Sequence, residues 1–327
     1  SLTLDYKAPR GKEIFLKLVT GMDVLVENYR PTVMDRAGLG YDVLREKNPR
    51  LVYAQLSGFG SDGPYRERGG FDLIAQGMGG IMHVTGEPDG PPTSVGLPIC
   101  DLGTGMWGVQ GILAALYERQ RTGQGQKVEC SLLETAVGFS SWTSAGWLAD
   151  HKEPTRQGSR HRQNAPYQRF ETKDGYMMIG AAGQGIWERA AKALGHPEWV
   201  DDPRFRRGAD RMRNRAALEA ALSAVLATAS SAHWSKLLDD AGVPCGPVYT
   251  YAELFADPQV QHRELVVYAE DAELGRVPHI RTPVRMSASD VGVRATAPKL
   301  GQHTDQILAG LGYASDDIAA LRRERVV

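Results

Sequence analysis

One carboxylate in this 327-residue chain stands where covalent chemistry is easily done. Asp101 lies in Val95-Gly96-Leu97-Pro98-Ile99-Cys100-Asp101-Leu102-Gly103-Thr104-Gly105, where an apolar segment meets the start of a long helical pattern. Gly103 and Gly105 leave the space beside it without side chains. A carboxylate at a helix start meets unsatisfied N–H groups and the positive end of the helix dipole. Position alone leaves two readings open. Asp is a preferred N-cap residue, and Asp101 can be simply that. It can also be a nucleophile, kept ionised by those N–H groups, which would then hold an oxyanion as the carboxylate adds to a carbonyl.

Other chemistries find less to work with. Cys100, Cys130 and Cys245 are too scattered for a disulfide framework or a CxxC metal pattern. No His pair at i, i+4 stands beside a Glu, so no metal site is expected. Cys100 adjoins Asp101, but the sequence places no His to make it a thiolate nucleophile. His83, His161 and His303 are isolated and read as structural or surface residues. Glu134 and the Arg160-His161-Arg162 run are minor candidates for a substrate entrance. Gly58-Phe59-Gly60 and Gly123-Gln124-Gly125 lack the GxGxxG spacing of a dinucleotide site, and Gly183-Gln184-Gly185 reads as a turn.

Composition excludes further classes. Thirty-eight Lys+Arg against 39 Asp+Glu give a formal charge of −1, with no basic cluster to grip nucleic acid. No apolar run reaches the roughly 18 residues of a membrane span. The opening Ser-Leu-Thr-Leu-Asp-Tyr-Lys resembles neither a signal nor a transit peptide, so a cytoplasmic, reduced location is expected. Glycine is in excess, at 37 of 327 residues. Many tight turns or close backbone approaches follow, as on a surface where a large cofactor lies.

The elements that must position Asp101 read as alternating helix and strand. The spacing predicts a helix over 11–20 ended by Gly21, strands over 23–27 and 51–56, and a helix near 71–82. A long helix near 102–119, a strand at 127–133 and a helix near 134–149 follow. Strands separated by helices imply a parallel sheet covered on both faces, with ligands beyond the strand carboxyl ends. Glu27-Asn28-Tyr29-Arg30-Pro31 and Ser57-Gly58-Phe59-Gly60 occupy those ends. Residues 1–150 thus form a large α/β domain and 151–166 a polar linker. A smaller α+β domain spans 167–265, with a hairpin turn at Lys173-Asp174-Gly175, helices near 184–194, 211–228 and 231–241, and a break at Pro244-Cys245-Gly246-Pro247. Residues 266–327 return toward the large domain, the last helix opening at a capping Ser315.

Six ordered blocks resemble the class III CoA-transferase family of the formyl-CoA and carnitine CoA-transferase type. They are LTLDYKAPRGKEIFLKLV, DVLVENYRP, NPRLVYAQLSGFGSDGPY, GGFDLIAQGMGG, PICDLGTGMWGVQGILAALYERQRTGQGQKVECSLLE and APKLGQHTDQILAGLGY. The resemblance implies a Rossmann-like large domain in an interlocked homodimer, and family chains carry a first βαβ unit before the point where this sequence begins. It implies that Asp101 attacks an acyl-CoA thioester and that CoA passes to a carboxylic acid through an aspartyl-acyl anhydride and an aspartyl-CoA thioester, without metal. The family's CoA contacts fall on Leu4, Asp5, Lys7, Asn28, Tyr29, Arg30, Arg36, Gly69, Gly70, Phe71 and Asp72. Lys7, Arg30 and Arg36 suit CoA phosphates. Tyr29 and Phe71 suit the adenine or the pantetheine arm, or else the core. The related α-methylacyl-CoA racemases carry a proton-exchanging histidine where this chain has Phe71, and a phenyl ring is no base. A non-catalytic CoA-binding protein is the third reading.

Overall fold

The computed structural model describes all 327 residues. Contacts divide the chain into one unit of residues 1–156 with 297–327 and a second of residues 157–296. In the first unit, α1 (Pro9–Thr20) leads to β1 (Val24–Glu27), the short α2 (Val33–Arg36), α3 (Tyr41–Lys47) and β2 (Val52–Ser57). Then come α4 (Asp72–Met78), α5 (Ile81–Val84), α6 (Ile99–Thr122), β3 (Lys127–Ser131), α7 (Leu132–Phe139) and α8 (Ser141–Asp150).

β1, β2 and β3 form a parallel sheet in that order, with Glu27 opposite Gln55 and Ser57 opposite Ser131. The central strand, β2, is buried along nearly its whole length, as a strand covered on both faces must be. One face carries Leu25 and Tyr53, packed with Val19 of α1, Leu44 of α3 and Leu39. α6 covers the other. A Cβ on Gly111 would lie 2.5 Å from the Val128 side chain, so glycine there lets the helix settle directly on β3. Its outer face is apolar too, and Leu102, Met106, Val109, Leu113 and Tyr117 are exposed. By length and composition α6 would also span a membrane, but its inner face is packed on the sheet.

The far end of α6 is clamped at the strands' amino ends. The Arg119 guanidinium is buried and donates to Arg50 O at 2.9 Å and to Asp23 Oδ1 at 2.7 Å.

The second unit holds an antiparallel sheet of β4 (Tyr167–Thr172), β5 (Gly175–Gly180) and β6 (Cys245–Pro247). Helices α9 (Gln184–Ala193), α10 (Gly208–Arg213), α11 (Arg215–Leu226) and α12 (Ser231–Asp240) follow the hairpin, and Trp187, Phe205 and Leu222 centre its core. Beyond α13 (Tyr251–Ala256) and α14 (Pro258–His262) lies the hairpin of β7 (Val266–Asp271) and β8 (Gly275–Ile280). In the first unit, α15 (Thr304–Gly310) and α16 (Ser315–Arg323) close the chain, packing Leu308, Ile318 and Leu321 against Ile14 of α1.

Several local expectations need correction. The helix expected over 71–82 breaks at Gly79-Gly80, where Gly80 adopts φ +82°, a region glycine enters freely. The helix expected over 134–149 divides at Ser140, and that over 211–228 at Asn214. Pro244-Cys245-Gly246-Pro247 is no mere break, because Cys245–Pro247 pairs with β5 as an edge strand, where proline is tolerated. Ser315 does not cap α16; the Asp317 carboxylate accepts the Ala314 N–H instead.

Candidate active site

The C-terminal ends of the three parallel strands open into a cleft of about 600 Å³. Residues 28–31 after β1, 56–58 at the end of β2 and 68–71 before α4 line it, with Leu132 after β3 and Asp101, Thr104 and Gly105 of α6. Seven of the residues expected to meet CoA or do chemistry thus come together: Asn28, Tyr29, Arg30, Gly69, Gly70, Phe71 and Asp101. Phe71 is 79% exposed and Tyr29 46%, so neither is a core residue.

The loops meet with almost nothing between them. A Cβ on Gly58 would fall 2.7 Å from Gly70 Cα, and one on Gly70 would fall 2.5 Å from Gly58 Cα. Below them, Ser57 Oγ accepts the Gly60 N–H at 2.9 Å, and Ser61 hydrogen-bonds the Glu129 carboxylate, which Lys127 approaches at 3.1 Å. The turn after β1 is fixed from beneath by Glu27. Its carboxylate accepts the Tyr29 N–H at 2.8 Å, Gln55 Nε2 at 2.7 Å and the Tyr53 hydroxyl at 3.3 Å. Burial pushes the Glu27 carboxyl above its ordinary range, against the opposing effect of those three donors.

At Asp101 the sequence reading needs revision. α6 begins at Ile99, earlier than the apolar pattern implied, so Asp101 sits inside the first turn rather than capping it. The capping carboxylate belongs to Asp72, the first residue of α4. Asp72 Oδ1 accepts the Cys100 N–H at 2.7 Å and the Asp101 N–H at 3.3 Å. The Ile99 N–H goes to Leu97 O and the Leu102 N–H to Pro98 O. All four N–H groups of the turn are engaged, so none is left to stabilise the Asp101 carboxylate or to hold an oxyanion.

Ionisation of Asp101 is accordingly disfavoured, not favoured. The residue is exposed overall, yet partial desolvation by the cleft raises its carboxyl above the usual range, and the Asp72 charge adds to that. Gly105 opens onto free space, as expected. Gly103 does not: a Cβ there would lie 2.4 Å from the Phe139 ring, so it serves helix packing. Cys100 is fully buried and its thiol is pushed up to about 11, consistent with an inert side chain.

Gln76 completes the arrangement and was not foreseen. It is buried, donates to Asp72 Oδ2 at 2.6 Å and to Leu97 O at 3.1 Å, and accepts the Val95 N–H at 3.0 Å. It thereby ties α4 to the segment that feeds α6. The i, i+4 spacing of Asp72 and Gln76 was the available signal.

The remaining candidates lie elsewhere. Leu4 packs against the α1/α15/α16 cluster, while Asp5 Oδ1 accepts the Lys7 N–H at 3.0 Å. That segment reaches the cleft wall through Tyr6, whose ring centroid is 6.4 Å from that of Tyr29. Arg36 is exposed at the end of α2. Glu134 hydrogen-bonds Ser131, the N-cap of α7, at 2.7 Å. In the second unit Arg160 pairs with Glu219 at 2.8 Å and His161 stacks on Tyr167. His83 pairs with Glu153 at 3.0 Å. The contacts of Glu134, Arg160, His161 and His83 are structural.

A strand-end cleft with one exposed carboxylate, built from the blocks that resemble a CoA-transferase, agrees with known proteins. Residues 1–304 match CoA-transferase family III. The chain belongs to that family. It is 37% identical over 308 residues to succinyl-CoA:glutarate CoA-transferase of Mus musculus, covering 94% of this chain and 71% of that protein. It is 40% identical over 304 residues to acetyl-CoA:oxalate CoA-transferase of Acetobacter aceti, covering 92% and 77%. The crystal structure of a CAIB/BAIF family protein from Brucella suis superposes with a TM-score of 0.84 at 38% identity, covering 95% of this chain and 81% of that one. This family III protein is therefore a CoA-transferase, with CoA thioesters as substrates.

Proposed function

We propose that Asp101 is the covalent nucleophile of this CoA-transferase and that the acids it serves are small dicarboxylates. The observation that carries the reading is the position of Asp101, a carboxylate open to the strand-end cleft beside Gly105. An Asp101 carboxylate oxygen adds to the thioester carbonyl and expels CoA thiolate, leaving an aspartyl-acyl anhydride. The thiolate attacks the Asp101 carbonyl, releases the donor acid and leaves an aspartyl-CoA thioester. The acceptor carboxylate attacks that carbonyl and again frees CoA thiolate. The thiolate then takes the acceptor's acyl group from the new anhydride and restores Asp101. Activation energy is kept in the intermediates throughout.

With the first-turn N–H groups of α6 engaged, the oxyanion donors must come from another wall. No hydrogen bond within the chain engages the Gly69 and Gly70 backbone N–H groups, and we assign them that task. Asn28, Tyr29 and Phe71 would flank the pantetheine arm and base, with Arg30, Lys7 and Arg36 toward the phosphates. Leu4 and Asp5 shape the amino-terminal segment and Asp72 the first turn of α6. The relatives named for succinate, glutarate and oxalate support the acid class. Phe71 in place of a basic residue argues against α-proton exchange. A second copy packed in an interlocked homodimer would cover the exposed outer face of α6.

Hydroxylamine trapping tests the chemistry. Incubation with acyl-CoA and hydroxylamine should leave a hydroxamate on Asp101 in peptide mass spectra, and Asp101→Asn should give none and lose transfer. Transfer that survives in Asp101→Asn sinks the mechanism. A monomer by light scattering sinks the dimer.

A further inference from the structure

We propose that Arg68 determines acid specificity by receiving the far carboxylate of a dicarboxylic substrate, an inference that rests on the transferase reading of the cleft. Transfer uses one carboxyl of the acid. The second keeps its charge and has to be met inside the cleft, where an unpaired anion is costly. The cations lining the cleft are Arg30 and Arg68. Arg30 lies along Gly69, its guanidinium 3.1 Å from where a Cβ would stand, and it follows directly on Asn28 and Tyr29. Arg68 is built differently. Its guanidinium carbon stands 4.6 Å from the Tyr65 ring centroid and 5.3 Å from that of Phe59, and the two rings meet edge to face at 5.6 Å.

The rings orient the guanidinium without neutralising it. No carboxylate of the chain pairs with Arg68; the nearby Glu67 approaches Arg66, at 3.5 Å. A charged planar fork, aimed by aromatic faces and left without an anion, suits bidentate binding of a carboxylate. Phe59 comes from the loop after β2 and Arg68 from the segment before α4, so the fork stands on the same wall as the Gly58–Gly70 contact. A phosphate of CoA has the same charge and would be the other source of an anion here.

The test separates these sources. With acetyl-CoA as donor, glutarate and pentanoate are compared as acceptors of equal length in wild type, Arg68→Met and Arg68→Lys. Met keeps a side chain on the rings but removes the charge. The preference for glutarate over pentanoate should fall at least about tenfold in Arg68→Met, through the glutarate KM, with partial recovery in Arg68→Lys. An equal loss for both acids, or a rise confined to the acetyl-CoA KM, overturns the proposal, the latter assigning Arg68 to CoA. Glutarate binding by calorimetry reads the proposal without turnover. Affinity present in wild type and lost in Arg68→Met supports it; equal affinity, or none in wild type, overturns it. Failure to trap a hydroxamate on Asp101 overturns only the transferase mechanism.

Discussion

Asp72 holds the backbone of Asp101 while its charge opposes that residue's ionisation. One Asp72 oxygen accepts the Cys100 and Asp101 N–H groups, and the Asp72 carboxylate adds to the desolvation that raises the Asp101 carboxyl. The first turn of α6 is thus pinned by the group that makes Asp101 more basic. A more basic carboxylate is a stronger nucleophile once ionised.

Loss of this cap has a defined cost. Asp72→Ala should destabilise the protein by about 1 kcal/mol in urea unfolding, the usual worth of an N-cap side chain. Asp72→Asn keeps an acceptor for the Cys100 and Asp101 N–H groups but turns an NH₂ toward Gln76 Nε2, so it should recover only part of that loss. An Asp72→Ala variant as stable as wild type would mean that the cap contributes nothing.

The same pair sets a pH dependence. Under the proposed mechanism transfer needs ionised Asp101, so kcat/KM should fall as pH drops through its raised pKa. Removing the Asp72 charge in Asp72→Asn lowers that pKa and moves the acid limb to lower pH. Stability runs the other way, because a carboxyl with a raised folded-state pKa loses stabilisation as pH rises from the unfolded value through the folded one. Asp101→Asn should flatten that decline. A limb that stays in place in Asp72→Asn refutes the coupling.

Gly58 and Gly70 make a contact that no other residue fits. Gly58→Ala forces a methyl to within 2.7 Å of Gly70 Cα, against backbone that cannot yield locally. We expect about 1–3 kcal/mol of destabilisation and a raised acyl-CoA KM, because both cleft loops must shift. Unchanged thermal unfolding would show that the loops part readily.

Glu27 faces three donors with two oxygens. Glu27→Ala removes both acceptor oxygens, leaving the Tyr29 N–H, the Gln55 amide and the Tyr53 hydroxyl without their shared partner. The Asn28-Tyr29 turn should loosen, raising the acyl-CoA KM about tenfold with kcat little changed, as for lost ground-state binding. A fall in kcat at constant KM would place Glu27 in the chemistry instead.

Much of this was legible from residue pattern. The short apolar runs became β1 and β2, their ends became the cleft, and Asp101 stood at the head of the long helix. What escaped was long-range. Asp72 reaches Cys100 and Asp101 across 28 and 29 residues, and Glu27 meets Gln55 only through strand register. Hydrophobic spacing describes one element at a time and carries no record of which polar group caps a neighbouring helix. Gly103 misled for a related reason: a missing side chain looks the same in sequence whether it clears room for a ligand or for the Phe139 ring.

α6 carries Asp101 on its first turn and Arg119 about 27 Å farther along its axis. The Arg119 guanidinium bolts that end to Asp23 and Arg50, at the opposite rim of the sheet from the cleft. Asp72 grips the first turn and Arg119 the last, so the helix is tethered to the rest of the unit at both ends. The side chains that make these two tethers, Asp72 and Arg119, both lie outside the lining of the cleft that Asp101 faces.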